Sequence, residues 1–228
     1  MGVAYNPTIV RDGLVLCLDA GNTKSYPGSG TTWTDLSGNG NNGTLENGVG
    51  YSGDNLGSLS FDGVDDYGSF AGSENNVSLG TIECWCKPDN PSDNLNQQIV
   101  SRTNTSAGTF NLLKNSSNKF QFNMRLSTTS QYIIESDNDA TTDWTHVIGT
   151  YDGTTQKIFV NGSQQSSTTS IFGVLDTSGT LTCNIGRNTT GAAYFGGGIS
   201  IIRIYNRSLS GPEIQQNYNA LKSRFINT

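Results

Sequence analysis

The stretch WTHVIGTYDGTTQKIFVNGSQQ, residues 144–165, decides the fold. Two runs rich in β-branched and aromatic residues, WTHVIGTY and TQKIFV, flank Asp152-Gly153, and a second turn pair, Asn161-Gly162, closes the second run. Asp-Gly and Asn-Gly supply the positive φ angles that tight hairpin turns need. The segment therefore predicts two antiparallel strands followed by another tight turn.

Working outward, the same signature recurs. LVLCLDA at 14–20 reads as a buried strand. GTIECWCKP at 80–88 alternates, with Ile82, Cys84 and Cys86 on one face and Glu83, Trp85 and Lys87 on the other. One of these faces must meet a core; the other is only half committed. SLSFDG, QQIVSR, FNLLKN, KFQFNMRL, QYIIES, TLTCNIGR and GGGISIIRIYNRSL complete the series. In the middle of the chain these runs are separated by Asn, Ser, Thr and Gly at intervals of about 8 to 12 residues, the spacing of antiparallel strands.

Only the C-terminus changes period. Ser210 and Glu213 form a capping-box pattern, Pro212 sits just inside the start, and Ile214, Tyr218, Leu221 and Phe225 make one apolar stripe. This predicts a helix over 211–225. Alternation over such a length needs two facing sheets to bury its apolar sides, so an all-β sandwich of two antiparallel sheets is expected, with the short helix packed onto it. Residues 1–11 read as an extended segment able to dock on a neighbouring subunit, and 12–228 as one domain.

Composition agrees. With 28 glycines, 5 prolines and 14% charged residues, the chain favours short strands and tight turns over long surface helices. A net charge of −6, with 13 scattered Lys and Arg, argues against binding a nucleic-acid backbone. No signal-peptide zones are present, and no apolar run approaches the roughly 18 residues of a membrane span, so a soluble protein made in a cytoplasm is expected. Cys84 and Cys86 read as buried thiols rather than a redox pair, and His146 is the only histidine, too little for a zinc site with the scattered cysteines.

Two loops draw attention. DLSGNGNNG at 35–43 follows Trp33, and FDGVDDY at 61–67 clusters Asp62, Asp65 and Asp66. Calcium takes six to eight oxygen ligands, which such a turn can offer. Aspartates in turns equally accept backbone amide hydrogens. Both readings stand at this point, with Asp19 and Asp35 as further oxygen donors. Enzymatic chemistry finds less support: glycoside hydrolysis needs two carboxylates across a cleft, whereas Glu83 has only Cys residues and Lys87 near it in the chain, and Glu46, Glu74, Glu135 and Glu213 are isolated. His146 could serve as a general base only with a reacting group in reach and an orienting partner.

Taken together, LVLCLDAGN, WTDLSGNGNNGTLENG, SLSFDGVDDY, TIECWCKP, WTHVIGTYDGTTQKIFVNG and GGGISIIRIYNRSLSGPEIQQNYNALKSRF resemble a laminin-G-like domain of the concanavalin A-like jelly-roll superfamily over about residues 12–226. The resemblance implies that the Asn/Gly loop closes against the sandwich edge, that FDGVDDY turns into a neighbouring strand, and that His146 packs or hydrogen-bonds beside the sheet. Relatives carry an Asp-Glu pair where this chain has Ser200 and Ile201, and the three alternating acids of retaining jelly-roll glucanases are missing. The IVRDGLVL start and YNALKSRF finish resemble single-domain proteins of tailed bacteriophages, especially marine ones. That implies a non-enzymatic virion protein, as a capsid decoration, fibre-associated or adhesin-like module, present in many copies or as a homo-oligomer among other virion proteins. The alternative is a carbohydrate-binding module for a host-surface glycan, with Trp33, Tyr51, Tyr67, Tyr194 and Phe195 as loop-associated aromatic platforms.

Overall fold

The Asp152-Gly153 hairpin forms as read. Asp152 Oδ1 accepts the amides of Thr154 (2.9 Å) and Thr155 (2.7 Å), Gly153 takes φ 94°, and Asn161 and Gly162 take φ 50° and 80° at the second turn. The computed structural model describes residues 8–71, 80–103, 109–126, 131–171, 182–188 and 192–226. Residues 1–7 of the N-terminal segment and Glu74 lie outside them.

In chain order the strands are β1 (Leu14–Asp19), β2 (Thr32–Trp33), β3 (Gly43–Glu46), β4 (Gly50–Ser52), β5 (Ser58–Asp62), β6 (Tyr67–Ala71), β7 (Thr81–Pro88) and β8 (Gln97–Thr103). There follow β9 (Thr109–Lys114), β10 (Lys119–Arg125), β11 (Gln131–Asp139), β12 (Thr145–Tyr151), β13 (Thr155–Val160), β14 (Ser163–Ser170), β15 (Thr182–Ile185), β16 (Gly196–Tyr205) and the helix α1 (Gly211–Phe225). The first sheet runs β14-β13-β12-β7-β16-β5-β4, with β1 also paired to β16. The second runs β11-β10-β9-β8-β15-β6-β3-β2. Each has eight strands, all pairings are antiparallel, and the arrangement is that of a jelly-roll sandwich.

The core lies between the sheets. Ile82, Cys84 and Cys86 of β7 meet Phe110, Leu112, Phe120 and Phe122 in one buried cluster. Packing is tight enough to demand glycine at one point: a Cβ on Gly149 of β12 would lie 2.4 Å from the Phe122 ring. All four cysteines are buried and free, as the alternation implied for Cys84 and Cys86.

The half-committed face of β7 is covered. The α1 stripe lands on it, so that Trp85 and Ile201 pack with Phe225, Tyr218 and Leu221. The helix begins with the anticipated capping box, Ser210 donating its amide to Glu213 Oε2 at 2.8 Å. Part of the N-terminal segment also packs here, Gln216 Nε2 of α1 donating to Thr8 O at 2.6 Å. Val10 is buried, its amide donates to Asn217 Oδ1 (2.8 Å), and Tyr205 donates its hydroxyl to Val10 O (3.1 Å).

DLSGNGNNG proves to be an edge cover. Asp35 accepts the amides of Cys17 (2.9 Å), Ser37 (2.8 Å) and Asn41 (3.0 Å), while Leu36 donates to Cys17 O (2.8 Å) and Asn41 Nδ2 to Val15 O (2.9 Å). The loop thereby occupies backbone groups of β1 that no strand pairs with, and Trp33 is buried beside it with no exposed surface. FDGVDDY is a different kind of corner, since it carries the chain from β5 in the first sheet to β6 in the second.

Candidate functional site

Three groups of polar residues merit comparison, beginning with Glu83. In the sequence it stands alone; in the sheet it is the centre of a cluster. Register places it between Ile148 and Arg203 on neighbouring strands. Its Oε1 accepts from Arg203 Nη1 (2.7 Å) and His146 Nε2 (2.9 Å), and its Oε2 from Asn217 Nδ2 of α1 (2.7 Å). Burial pushes the Glu83 carboxyl up, but the Arg203 guanidinium, then His146 and Asn217, outweigh it and hold it at about 2. An ionised carboxylate only accepts, so His146 carries its proton on Nε2. A carboxylate–histidine pair is chemistry an enzyme can use, yet Glu83 and His146 have no exposed surface. Trp85 stacks on His146 at 4.9 Å and on Phe225 at 4.3 Å, sealing the cluster beneath α1. Nearby, Ser200 donates to Gly57 O (2.6 Å) and accepts from Arg224, and Ile201 joins the aromatic packing. Ser200 and Ile201, where the resemblance implied an Asp-Glu pair, serve helix docking here.

The acidic corner comes together. Asp62, Asp65 and Asp66 each place a carboxylate oxygen within 4.8 Å of the others. They are also turn caps: Asp62 Oδ1 accepts the amides of Val64 (2.8 Å) and Asp65 (3.2 Å), and Asp66 Oδ2 accepts that of Asp62 (3.1 Å). These bonds, led by that from Val64, lower the Asp62 pKa, while burial raises that of Asp66. Asp19 and Asp35 do not join them; the first pairs with Arg224 (2.7 Å) and the second holds the edge cover.

The aromatic set does not form a platform. Trp33 and Phe195 are wholly buried and present no ring to a ligand, which corrects their assignment as binding residues. Both belong to the core cluster, because β2, which carries Trp33, and the residue before β16, Phe195, turn their rings inward. Tyr67 is half-buried with the Arg187 guanidinium 3.2 Å above its ring, and Tyr194 is half-buried as well. Only Tyr51 among the five is exposed, at 40%, on β4 and tilted against Tyr26.

The third group was not anticipated. Where β11 at the edge of one sheet approaches β14 at the edge of the other, Asp137 N donates to Gln165 Oε1 (3.0 Å) and Ser166 N to Asp137 Oδ2 (3.0 Å). Beside this seam an open cleft of about 300 Å³ forms between the end of β11, the 139–145 link and the β13–β14 turn. Phe120 and Val160 give it apolar lining, and Asn138, Asp139, Asn161, Ser163 and Gln165 most of its polar lining. Asp139 is its one carboxylate among the described residues, so it has no opposed acid pair. Asn138, Asp139, Asn161, Ser163 and Gln165 sit in polar or turn stretches of the sequence, and only the meeting of two sheet edges gathers them.

A family model described as the concanavalin A-like lectin/glucanases superfamily (Laminin_G_3) matches residues 61–215. No curated protein sequence gives a match. Among solved structures, the binding domain of botulinum neurotoxin DC in complex with SialylT is similar with a TM-score of 0.74 at 17% identity, over 92% of this chain and 52% of that one. The same domain in complex with rat synaptotagmin II gives 0.73 at 17%, over 93% and 52%. The binding domain of Paraclostridial Mosquitocidal Protein 1 gives 0.72 at 16%, over 92% and 52%. At these identities the likeness is one of fold, and this chain spans about half the length of those it matches.

Proposed function

We propose, because this chain belongs to the concanavalin A-like lectin/glucanases superfamily through a laminin-G-like domain, that it is a non-enzymatic binding module of lectin type whose ligand is a glycan. The observation that carries this is the seam cleft, a concave surface of amides, hydroxyls and one carboxylate beside apolar lining. Hydrolysis would need a second acid facing Asp139, and the acid–base pair the fold does contain, Glu83 with His146, is sealed under α1. Neurotoxin binding domains that share this fold over about half their length occur in complexes with SialylT and with rat synaptotagmin II, which supports a binding role here. Display on a tailed-phage particle, made in the host cytoplasm and held in many copies by other virion proteins, belongs to this proposal on the strength of the sequence resemblance.

Binding to an array of immobilised oligosaccharides, run in calcium and then in a chelator, tests the reading. Retention by at least one glycan class is expected, and retention by none overturns it. Loss in the chelator that calcium restores would assign a metal role to Asp62, Asp65 and Asp66, the ligands the acidic corner offers.

A further inference from the structure

The polar groups of the seam cleft divide into two kinds. Some are spent on its walls. Ser136 Oγ donates to Asn138 O (2.7 Å) and accepts from the Phe120 amide (3.1 Å). Gln165 accepts the Asp137 amide and donates to Ser163 O (3.0 Å), and Asn161 Oδ1 accepts the His146 amide (3.0 Å). The others are unspent: among the described residues, no hydrogen bond engages the side chains of Asn138, Asp139 or Ser163. An amide nitrogen carries two hydrogens, so Gln165 Nε2 retains one as well. Asn138, Asp139 and Ser163 are exposed, and polar side chains that the fold does not use, gathered in a concave site, are open to a ligand.

The charge of that remainder restricts the ligand. Among the described residues, no cation lines the cleft. The ammonium of Lys119, on the neighbouring strand, is taken up by Ser136 O (3.1 Å) and Asp137 O (2.6 Å). An anionic group entering the cleft would meet the Asp139 carboxylate and would find no guanidinium or ammonium among the described lining residues to pair with. A neutral polyol meets an amide, a carboxylate acceptor and a hydroxyl, which match adjacent sugar hydroxyls. A volume of about 300 Å³ is at the lower end of the ligand-pocket range of roughly 300–1,000 Å³, suited to one or two sugar rings.

We infer that the seam cleft is the sugar subsite and takes an uncharged hexose at the end of a glycan. Asn138, Asp139 and Ser163 are its direct contacts, and Asp139 turns away sialylated and other acidic sugars. This rests on the glycan reading above and adds its place and ligand class.

The test is titration calorimetry with lactose and with sialyllactose on the full chain, comparing wild type, Asp139→Asn, Asn138→Ala and Ser163→Trp, with thermal melts to show that each variant is folded. The neutral sugar is expected to bind about tenfold more tightly than its sialylated counterpart, with Asp139→Asn narrowing the gap to about twofold. Ser163→Trp fills the cleft and abolishes binding; Asn138→Ala, a gentler change, weakens it about fivefold or more. Sugar binding that survives both changes in folded protein overturns the location while leaving the lectin reading intact. A preference for the sialylated sugar overturns the ligand class alone. Should neither these sugars nor any array glycan bind wild type, the lectin reading fails and takes this inference with it.

Discussion

Glu83 and Asp139 are both carboxylates on the strands of one sandwich, and they have opposite fates. Glu83 is enclosed by Arg203, His146 and Asn217 and lies under a helix. Asp139 ends an edge strand, opens onto a cleft and has no partner among the described residues. An enclosed charge is tolerated only when every lone pair is answered, and its surroundings then become part of the fold. A charge left at the rim costs the fold little and can be given to a ligand. On the proposed reading, the chain keeps structure and recognition on different surfaces, the α1 face of the first sheet and the seam.

Substitution separates these surfaces, and the largest effect belongs to the enclosed one. Glu83→Ala leaves the Arg203 guanidinium buried and unpaired, and is expected to destabilise the protein by about 3–5 kcal/mol in urea unfolding. A loss below about 1 kcal/mol would mean that the cluster is not structural.

Acid acts on the same group. With a folded pKa of about 2 against an ordinary 4.5, Glu83 contributes stability that is fully present above about pH 4.5 and is lost as pH falls toward 2. Glu213, held at about 2 by Arg207, titrates in the same window. Melting temperature followed from pH 5 to 2 should therefore fall steeply in wild type and less steeply in Glu83→Gln; identical slopes would remove Glu83 as the cause.

Asp35→Ala tests an intermediate case, a carboxylate answered by loop and strand amides and by the Ser37 hydroxyl. About 2 kcal/mol is expected from unfolding curves, since hydrogen bonds to a charged group contribute about 1.5–3 kcal/mol. At the far end, Asp139→Asn should move stability by no more than about 0.5 kcal/mol, as a surface change without partners does. If its effect approached that of Asp35→Ala, the carboxylate would be structural and the contrast would collapse.

What the sequence revealed follows the same division. β7, the Asp152-Gly153 hairpin and the helix over 211–225 were legible because apolar period, turn residues and a capping box are local. β14, SQQSSTTS, has no apolar residue to show a period, and its burial alternates only between exposed and half-exposed. β2 and β4, at two and three residues, are too short to carry a pattern. The partners of Glu83 were hidden by distance, with Arg203 lying 120 positions along the chain. Trp33 and Phe195 misled because their loops look solvent-facing in sequence, whereas both rings turn into the core. The cleft was invisible for a related reason: Asn138, Asp139 and Ser163 are turn-like residues whose proximity depends on two sheet edges meeting.

The covering of β1 by the 35–41 loop has a consequence for life at high concentration. Open strand edges are where folded β-proteins nucleate edge-to-edge stacking and fibrils. Here one such edge is filled by Asp35, Leu36 and Asn41, and the two long outer strands, β11 and β14, are tied to each other by Asp137 and Gln165. The remaining outer strands, β2 and β4, offer two and three residues. Among the described residues, copies of this domain crowded side by side would find little backbone to grip, which favours dense packing without edge-to-edge aggregation.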